Sequence, residues 1–253
     1  EASFASQRGR SNCCDNLEVL GVHTDGGMRE RFIVPARKLH PSHGGLEMEQ
    51  LALVETLAIG CHAVDRAKPT ADDTVLIIGA GPIGLTCVEF TRLTPAKMIV
   101  MDMNEDRLAF CRNNMNVEKT VTFKGDDSEE QALRDANGGE LPTIVIDATG
   151  NAQSMANAMN FVAHTGTLVY VGITLGDIVF PHRWLHAKEM NLLSSRNALP
   201  GDFARIIKLI EDGKIDTRPW ITHRTTLEEL PEVFDSYTKP ETGVIKAIVS
   251  IQD

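Results

Sequence analysis

The sequence predicts an α/β fold: a parallel sheet with helices on both faces, inserted into a discontinuous outer region built from the two ends of the chain. Three observations carry this. From about Asp72 onward, strand-like and helix-like segments alternate. The strand-like segments are continuous apolar runs, as expected of strands buried on both faces in βαβ units. Residues 1–55 hold few long periodic segments, and the stretch beyond Asn197 reads as a return to that first region. Residues 1–55 and 198–253 are therefore assigned to a partial outer domain and 56–197 to the inserted one.

In chain order, "MRERFIVPARKLHPS" (28–42) reads as a strand followed by a loop. "QLALVETLAIGCHAV" (50–64) reads as a nearly apolar helix that carries one carboxylate, Glu55. "TVLIIG" (74–79) is a β-branched strand, and "PIGLTCVEFTRL" (82–93) a helix opened by Pro82. Strands follow at "KMIVMD" (97–102), "KTVTF" (119–123), "TIVIDATG" (143–150) and "TLVYVG" (167–172). Between them lie helices over "NEDRLAFCRNN", "SEEQALRDA" and "AQSMANAMNFVA". The tail offers a helix over 202–212, a short "WITHR", a helix "LEELPEVFDSY" and a closing strand "VIKAIVSI".

With 253 residues the chain has room for one large domain or two modest ones. Apolar residues at 42% and charged residues at 24% are ordinary for a globular protein. A net charge of -10 argues against nucleic acid or an anionic membrane surface as partner. No apolar run reaches spanning length and no signal peptide opens the chain. Five scattered cysteines do not form a secreted disulfide scaffold, so the expectation is cytoplasmic. The opening "EASFASQ" has no initiator Met and no recognisable first element, which suggests a piece of something longer.

Gly79-Ala80-Gly81-Pro82-Ile83-Gly84 is a G-x-G-x-x-G pattern that leaves a strand and opens a helix. Gly79 suits the tight turn, Gly81 the approach of a pyrophosphate, and Gly84 close helix–strand packing, with the helix N-terminus facing the phosphates. Asp102 ends the next strand, placed to accept hydrogen bonds from an adenosine ribose and to repel a 2′-phosphate. NAD is therefore favoured over NADP. Arg107 follows closely enough to touch the ribose or offset charge. Two alternatives remain at this point: a glycine turn with no ligand, and a methyltransferase, whose cofactor also meets an acid at the second strand end.

These motifs, together with "SNCCDNLEVLGVHTDGGMRERFIVPARKL", "ALVETLAIGCHAV", "IVMDMNEDRL", "VIDATGN", "SSRNALPGDF" and "WITHRTTLEELPEVF … ETGVIKAIV", resemble the medium-chain, zinc-type alcohol dehydrogenase superfamily over essentially the whole chain. The likeness is to its polyol and sugar-acid branch, which holds sorbitol-, threonine- and hexonate-type dehydrogenases. The resemblance implies a Rossmann-type sheet inserted in a GroES-like, β-rich catalytic domain, here incomplete at its N-terminus. It implies NAD and a catalytic zinc as cofactors, a small-molecule alcohol or sugar-acid substrate, and a homodimer or homotetramer paired through "GDIVFP" (176–181) as an edge strand.

Several site residues also follow from the resemblance. Glu55 falls where the branch places a carboxylate at the catalytic zinc, with Thr56 in place of the usual Pro. A zinc would satisfy a carboxylate stranded among Leu and Val; backbone N–H groups at a helix start would do so too. His62, seven residues on along the same face, is a candidate for proton handling. A satisfied, half-buried histidine is the alternative. Thr149, Gly150, Gly172 and Ile173 would line the nicotinamide half of the cleft, Arg196 and Asn197 would close over the dinucleotide, and Lys246 would reach the pyrophosphate. None of His164, His182, His186 or His223 is assigned to catalysis.

Two departures accompany the likeness. Neither a "GHE" nor a "CG[TS]D" motif occurs in the chain, so the family's other zinc ligands are missing. In the structural-zinc lobe, read as C-x-x-C-x-x-C-x7-C, Cys14 is the last ligand, but Ser6 and Ser3 occupy the two before it. Hydroxyls that stay protonated are poor zinc ligands, so this lobe is expected to hold no zinc. Three functional readings result: a zinc-assisted NAD-dependent dehydrogenase of secondary alcohols, a short-chain-type reductase, and a non-catalytic NAD-binding module. The second needs Y-x-x-x-K, and neither Tyr170 nor Tyr237 has Lys four residues later. The first is the reading adopted for the intact protein.

Overall fold

The computed structural model describes residues 3–251. The chain divides into two compact units, Glu1–Glu55 with Ala198–Asp253, and Thr56–Asn197. In chain order the helices are α1 (Phe4–Gln7), α2 (Met48–Ala52), α3 (Val54–Ala67), α4 (Pro82–Thr91), α5 (Glu105–Met115), α6 (Glu129–Ala136), α7 (Ala152–Asn157), α8 (His182–Ala187), α9 (Pro200–Glu211) and α10 (Leu230–Tyr237). The strands are β1 (Thr74–Ile78), β2 (Lys97–Asp102), β3 (Lys119–Thr122), β4 (Ile144–Asp147), β5 (Thr167–Tyr170), β6 (Asn191–Ser194), β7 (Ile221–Thr226) and β8 (Lys246–Ser250).

In the second unit six strands form one all-parallel sheet in the order β3-β2-β1-β4-β5-β6. Every residue of β1 and of β4 is buried, while β6 at the edge shows mostly exposed positions. That gradient is why the central strands read as unbroken apolar runs and β6 does not. One core, with Leu76, Met101, Val145, Leu168 and Tyr170, is closed by Met155, Met159 and Phe161 from the segment after β4.

α7 gives way to a 3-10 turn over Ala158–Phe161 rather than continuing to residue 163. The ammonium of Lys188 donates to the carbonyls of Met159, Asn160 and Val162 at 3.0, 3.1 and 2.7 Å, collecting the acceptors that the tightened turn leaves open.

The first unit holds one two-stranded parallel sheet, β7 with β8. Among the described residues it is therefore not β-rich. Residues 28–35 run without strand pairing, with Ile33 fully exposed, and Ala36–Lys38 form a 3-10 turn. A β-branched, aromatic sequence marks a potential strand; the strand itself exists only where a neighbour takes its N–H and C=O groups.

The apolar stretch around residues 50–64 is broken at Leu53, which ends α2. Likewise, residues 176–181 form no strand; Ile178 and Phe180 pack on the core and Val179 stays exposed.

α3 and α4 meet at a glycine. A Cβ on Gly60 would lie 2.3 Å from the Thr86 carbonyl carbon and from its Oγ1. Gly60→Ala is expected to force these helices apart and destabilise the protein by roughly 1–3 kcal/mol. Gly201→Ala, in α9 with open space at its Cβ, is expected to be neutral or stabilising. Urea unfolding midpoints of the two variants check both expectations.

Candidate functional site: a glycine-lined cleft at the carboxyl ends of the strands

The glycine loop begins where β1 ends. Gly79 turns with φ of 96°, in the left-handed region open to glycine. Gly81 is the N-cap of α4 without a side-chain cap, and Pro82 occupies the first turn. The first N–H groups of α4 are thus left for a ligand. Gly84 sits behind the loop, where a Cβ would be 1.6 Å from the Gly79 carbonyl oxygen. No other residue type permits that approach of helix to strand.

Asp102, at the end of β2, is buried and ties the loop to its neighbour. Its Oδ2 accepts the Ala80 N–H at 2.6 Å and its Oδ1 the Asn104 N–H at 2.7 Å. Each carboxylate oxygen retains a lone pair for a further donor such as a ribose hydroxyl. Arg107, one turn into α5, is exposed; a Cβ on Gly81 would lie 3.8 Å from its Nη1.

These parts enclose a cleft of about 560 Å³. Gly79, Gly81, Pro82, Ile83, Asp102, Arg107 and Thr149 line it. It opens at the carboxyl ends of β1, β2 and β4, where the strand order reverses and open α/β sheets bind ligands. Across the reversal, Gly150 turns with φ of 66°, and a Cβ on Gly172 would lie 2.3 Å from the Gly150 nitrogen. The Ile173 carbonyl is 3.0 Å from where a Gly150 Cβ would be, so the turns after β4 and β5 pack backbone against backbone. Of the residues beyond β6, Arg196 is exposed and Asn197 is half-buried with φ of 49°.

Sequence reasoning missed several cleft residues: Met103, Phe123, Asn151, Gln153 and Asn157. Only Asn151 carries a legible signal. As N-cap of α7 it accepts from the Gln153 and Ser154 N–H groups, the ordinary use of Asn before a helix.

The zinc expectations meet a different geometry. Glu55 is not buried: it lies exposed in the first turn of α3, where a carboxylate is favoured by the helix's N–H groups and dipole. Its charge is felt by Lys246 in β8, whose pKa half-burial lowers while Glu55 opposes the shift. His62 is buried within α3; seven residues amount to about 10 Å of helix, so a shared face does not bring it against Glu55. Among the described residues no set of three His, Cys, Asp or Glu ligand atoms gathers around Glu55. One exposed carboxylate does not fit a zinc ion.

The N-terminal lobe does converge. Ser3 and Ser6 hydroxyls lie 3.3 Å apart, and both hydrogen-bond Cys14. These bonds, that of Ser6 first, bring the half-buried Cys14 thiol down to about 7. Two hydroxyls and a thiol do not fit structural zinc either, because the hydroxyls keep their protons.

A family model described as "Zinc-binding dehydrogenase" matches residues 82–212, from the glycine-loop helix through α9. The chain belongs to the zinc-binding dehydrogenase family. An L-galactonate-5-dehydrogenase of Escherichia coli K12 is 36% identical to this dehydrogenase over 246 residues, covering 97% of it and 72% of the relative. Among solved structures, an alcohol dehydrogenase of Escherichia coli CFT073 complexed with NADH matches with a TM-score of 0.89 at 25% identity, over 98% of this chain and 73% of that one. A zinc-binding dehydrogenase of Sinorhizobium meliloti 1021 bound to NADP matches with a TM-score of 0.88 at 26% identity, over 98% and 72%. Family membership sets the dehydrogenase reading ahead of the methyltransferase and of the non-catalytic module.

The cysteines of this dehydrogenase should separate by reactivity. Cys14, near 7, is half thiolate at neutral pH and more so above it, while burial pushes the Cys87 thiol up to about 12. Iodoacetamide labelling followed by peptide mass mapping should show Cys14 modified with a midpoint near pH 7 and Cys87 unmodified in the folded protein.

Proposed function

We propose that this chain binds NAD in the cleft and contributes to oxidation of a secondary alcohol on a polyol or sugar acid, with hydride passing to the nicotinamide. The observation that carries the reading is the pairing of an uncapped α4 N-terminus at Gly81 with the Asp102 carboxylate across one cleft. The loop N–H groups and the helix dipole would hold the pyrophosphate, and Gly81 leaves it room. Asp102 would accept the adenosine ribose hydroxyls and disfavour a 2′-phosphate, while Arg107 flanks that end. Thr149, Gly150, Gly172 and Ile173 stand beyond the reversal, on the nicotinamide side. Arg196, Asn197 and Lys246 remain candidates for the dinucleotide on resemblance.

The substrate class comes from relatives such as the L-galactonate-5-dehydrogenase and the L-arabinitol 4-dehydrogenases, of which one from Aureobasidium melanogenum is 30% identical. Zinc is named in the family's description, but among the described residues the exposed Glu55 carboxylate does not fit it, and no step is assigned to a metal here. All five cysteines are free, which suits a reducing cytoplasm, and no helix among the described residues is long and apolar enough to cross a membrane. Exposed Ile173, Leu175 and Val179 suit pairing of two copies.

Titration of the chain with NADH and with NADPH, followed by nicotinamide fluorescence, tests the cofactor reading. NADH is expected to bind at least about tenfold more tightly than NADPH. Equal or tighter NADPH binding would contradict the role given to Asp102, and binding of neither would contradict the whole reading.

A further inference from the structure

We infer that Asp147 is the positioning residue of the cleft: it fixes the β4–α7 turn on which the second half of the dinucleotide rests. This builds on the dinucleotide reading above. Asp147 ends β4, is fully buried, and contributes nothing to the cleft surface itself. Its Oδ1 accepts the Thr149 N–H at 2.9 Å and the Thr149 hydroxyl at 2.7 Å, and its Oδ2 accepts the Ser154 hydroxyl at 2.8 Å. Thr149 Oγ1 in turn accepts the Asn151 N–H at 3.1 Å. One carboxylate thus holds Thr149, two residues past the strand end, and the first turn of the next helix.

The geometry passes from there to both halves of the cleft. The Thr149 methyl lies 3.1 Å from where a Cβ of Gly79 would be, so the held threonine packs on the glycine turn. Gly150, directly after it, packs on Gly172 and Ile173 at the end of β5. Burial pushes the Asp147 pKa up, while Thr149 and Ser154 hold it down. A buried carboxylate is costly, and three donors at once are what offset it. Tyr170, its neighbour across the sheet, spends its hydroxyl on the Met155 carbonyl and offers Asp147 no donor. All three of these donors come from the turn and α7.

In a sheet of this order, β1 to β3 serve the adenosine half and the strands beyond the reversal serve the other half. A lesion at Asp147 should therefore separate the two. Kd values for NADH and for 5′-AMP are to be measured on the whole chain and on Asp147→Ala and Asp147→Asn. Asp147→Ala is expected to weaken NADH by about tenfold or more while leaving AMP within about twofold. Asp147→Asn should bring NADH back to within about threefold, since its amide oxygen can accept both Thr149 donors and its NH₂ can donate to Ser154.

Unchanged NADH binding in Asp147→Ala, or equal loss of NADH and AMP, overturns the assignment. If Asp147→Ala does not fold, Ser154→Ala carries the test, because it releases Oδ2 alone. NADH is then expected about threefold weaker with AMP unchanged, and unchanged NADH overturns the claim. A wild-type chain that binds AMP but not NADH takes down this inference together with the dinucleotide reading. Wild-type NADH binding that Asp147→Ala leaves intact takes down this inference alone.

Discussion

The approach of α4 to β1 constrains everything around the cleft. Gly84 brings the helix so near the strand end that the Gly79 carbonyl occupies the space of a side chain. With α4 seated there, its first N–H groups, left uncapped by Gly81, face the carboxyl ends of the strands. The loop so formed would be free to peel away were it not fastened from the side. Asp102 does this by accepting the Ala80 N–H. Across the strand-order reversal Asp147 does the same for the turn after β4. Two strand-end carboxylates, one on each side, thus hold the backbone between them in a shape that suits a phosphate-bearing ligand.

The zinc half of the family's chemistry has no such assembly among the described residues. Glu55 stands in solvent at a helix start, where its charge is tolerated without a metal. In the N-terminal lobe the backbone still gathers three side chains to one point, but two end in hydroxyls. Helix capping and hydrogen bonding are enough to hold these three side chains together without a metal. Here Ser3 caps α1 and so maintains the turn it belongs to.

What was legible in the sequence follows burial. β1 to β5 were readable because central strands need apolar side chains on both faces, and the glycine loop because its turn and close packing tolerate nothing larger. β6 escaped notice: "NLLS" is short and mostly exposed at the sheet edge, so no periodicity marks it. The segment around Ile33 erred in the other direction, since strand-like residues declare a preference without supplying a partner. Its buried neighbours make Glu55 read as buried, yet a helix turns about 100° per residue and one step moves from core to water. Asp147 could not be singled out, because an acid in "VIDATG" looks the same whether it faces solvent, ligand or its own turn. Only the positions of Thr149 and Ser154 distinguish these.

A crystal structure of the chain grown with NAD would test the central claim most directly. The account requires the pyrophosphate against the N–H groups at the start of α4, the adenosine ribose hydroxyls on Asp102, and the nicotinamide half beyond Thr149. A dinucleotide seated elsewhere, or one whose adenosine lies on the far side of the strand reversal from Asp102, would contradict it.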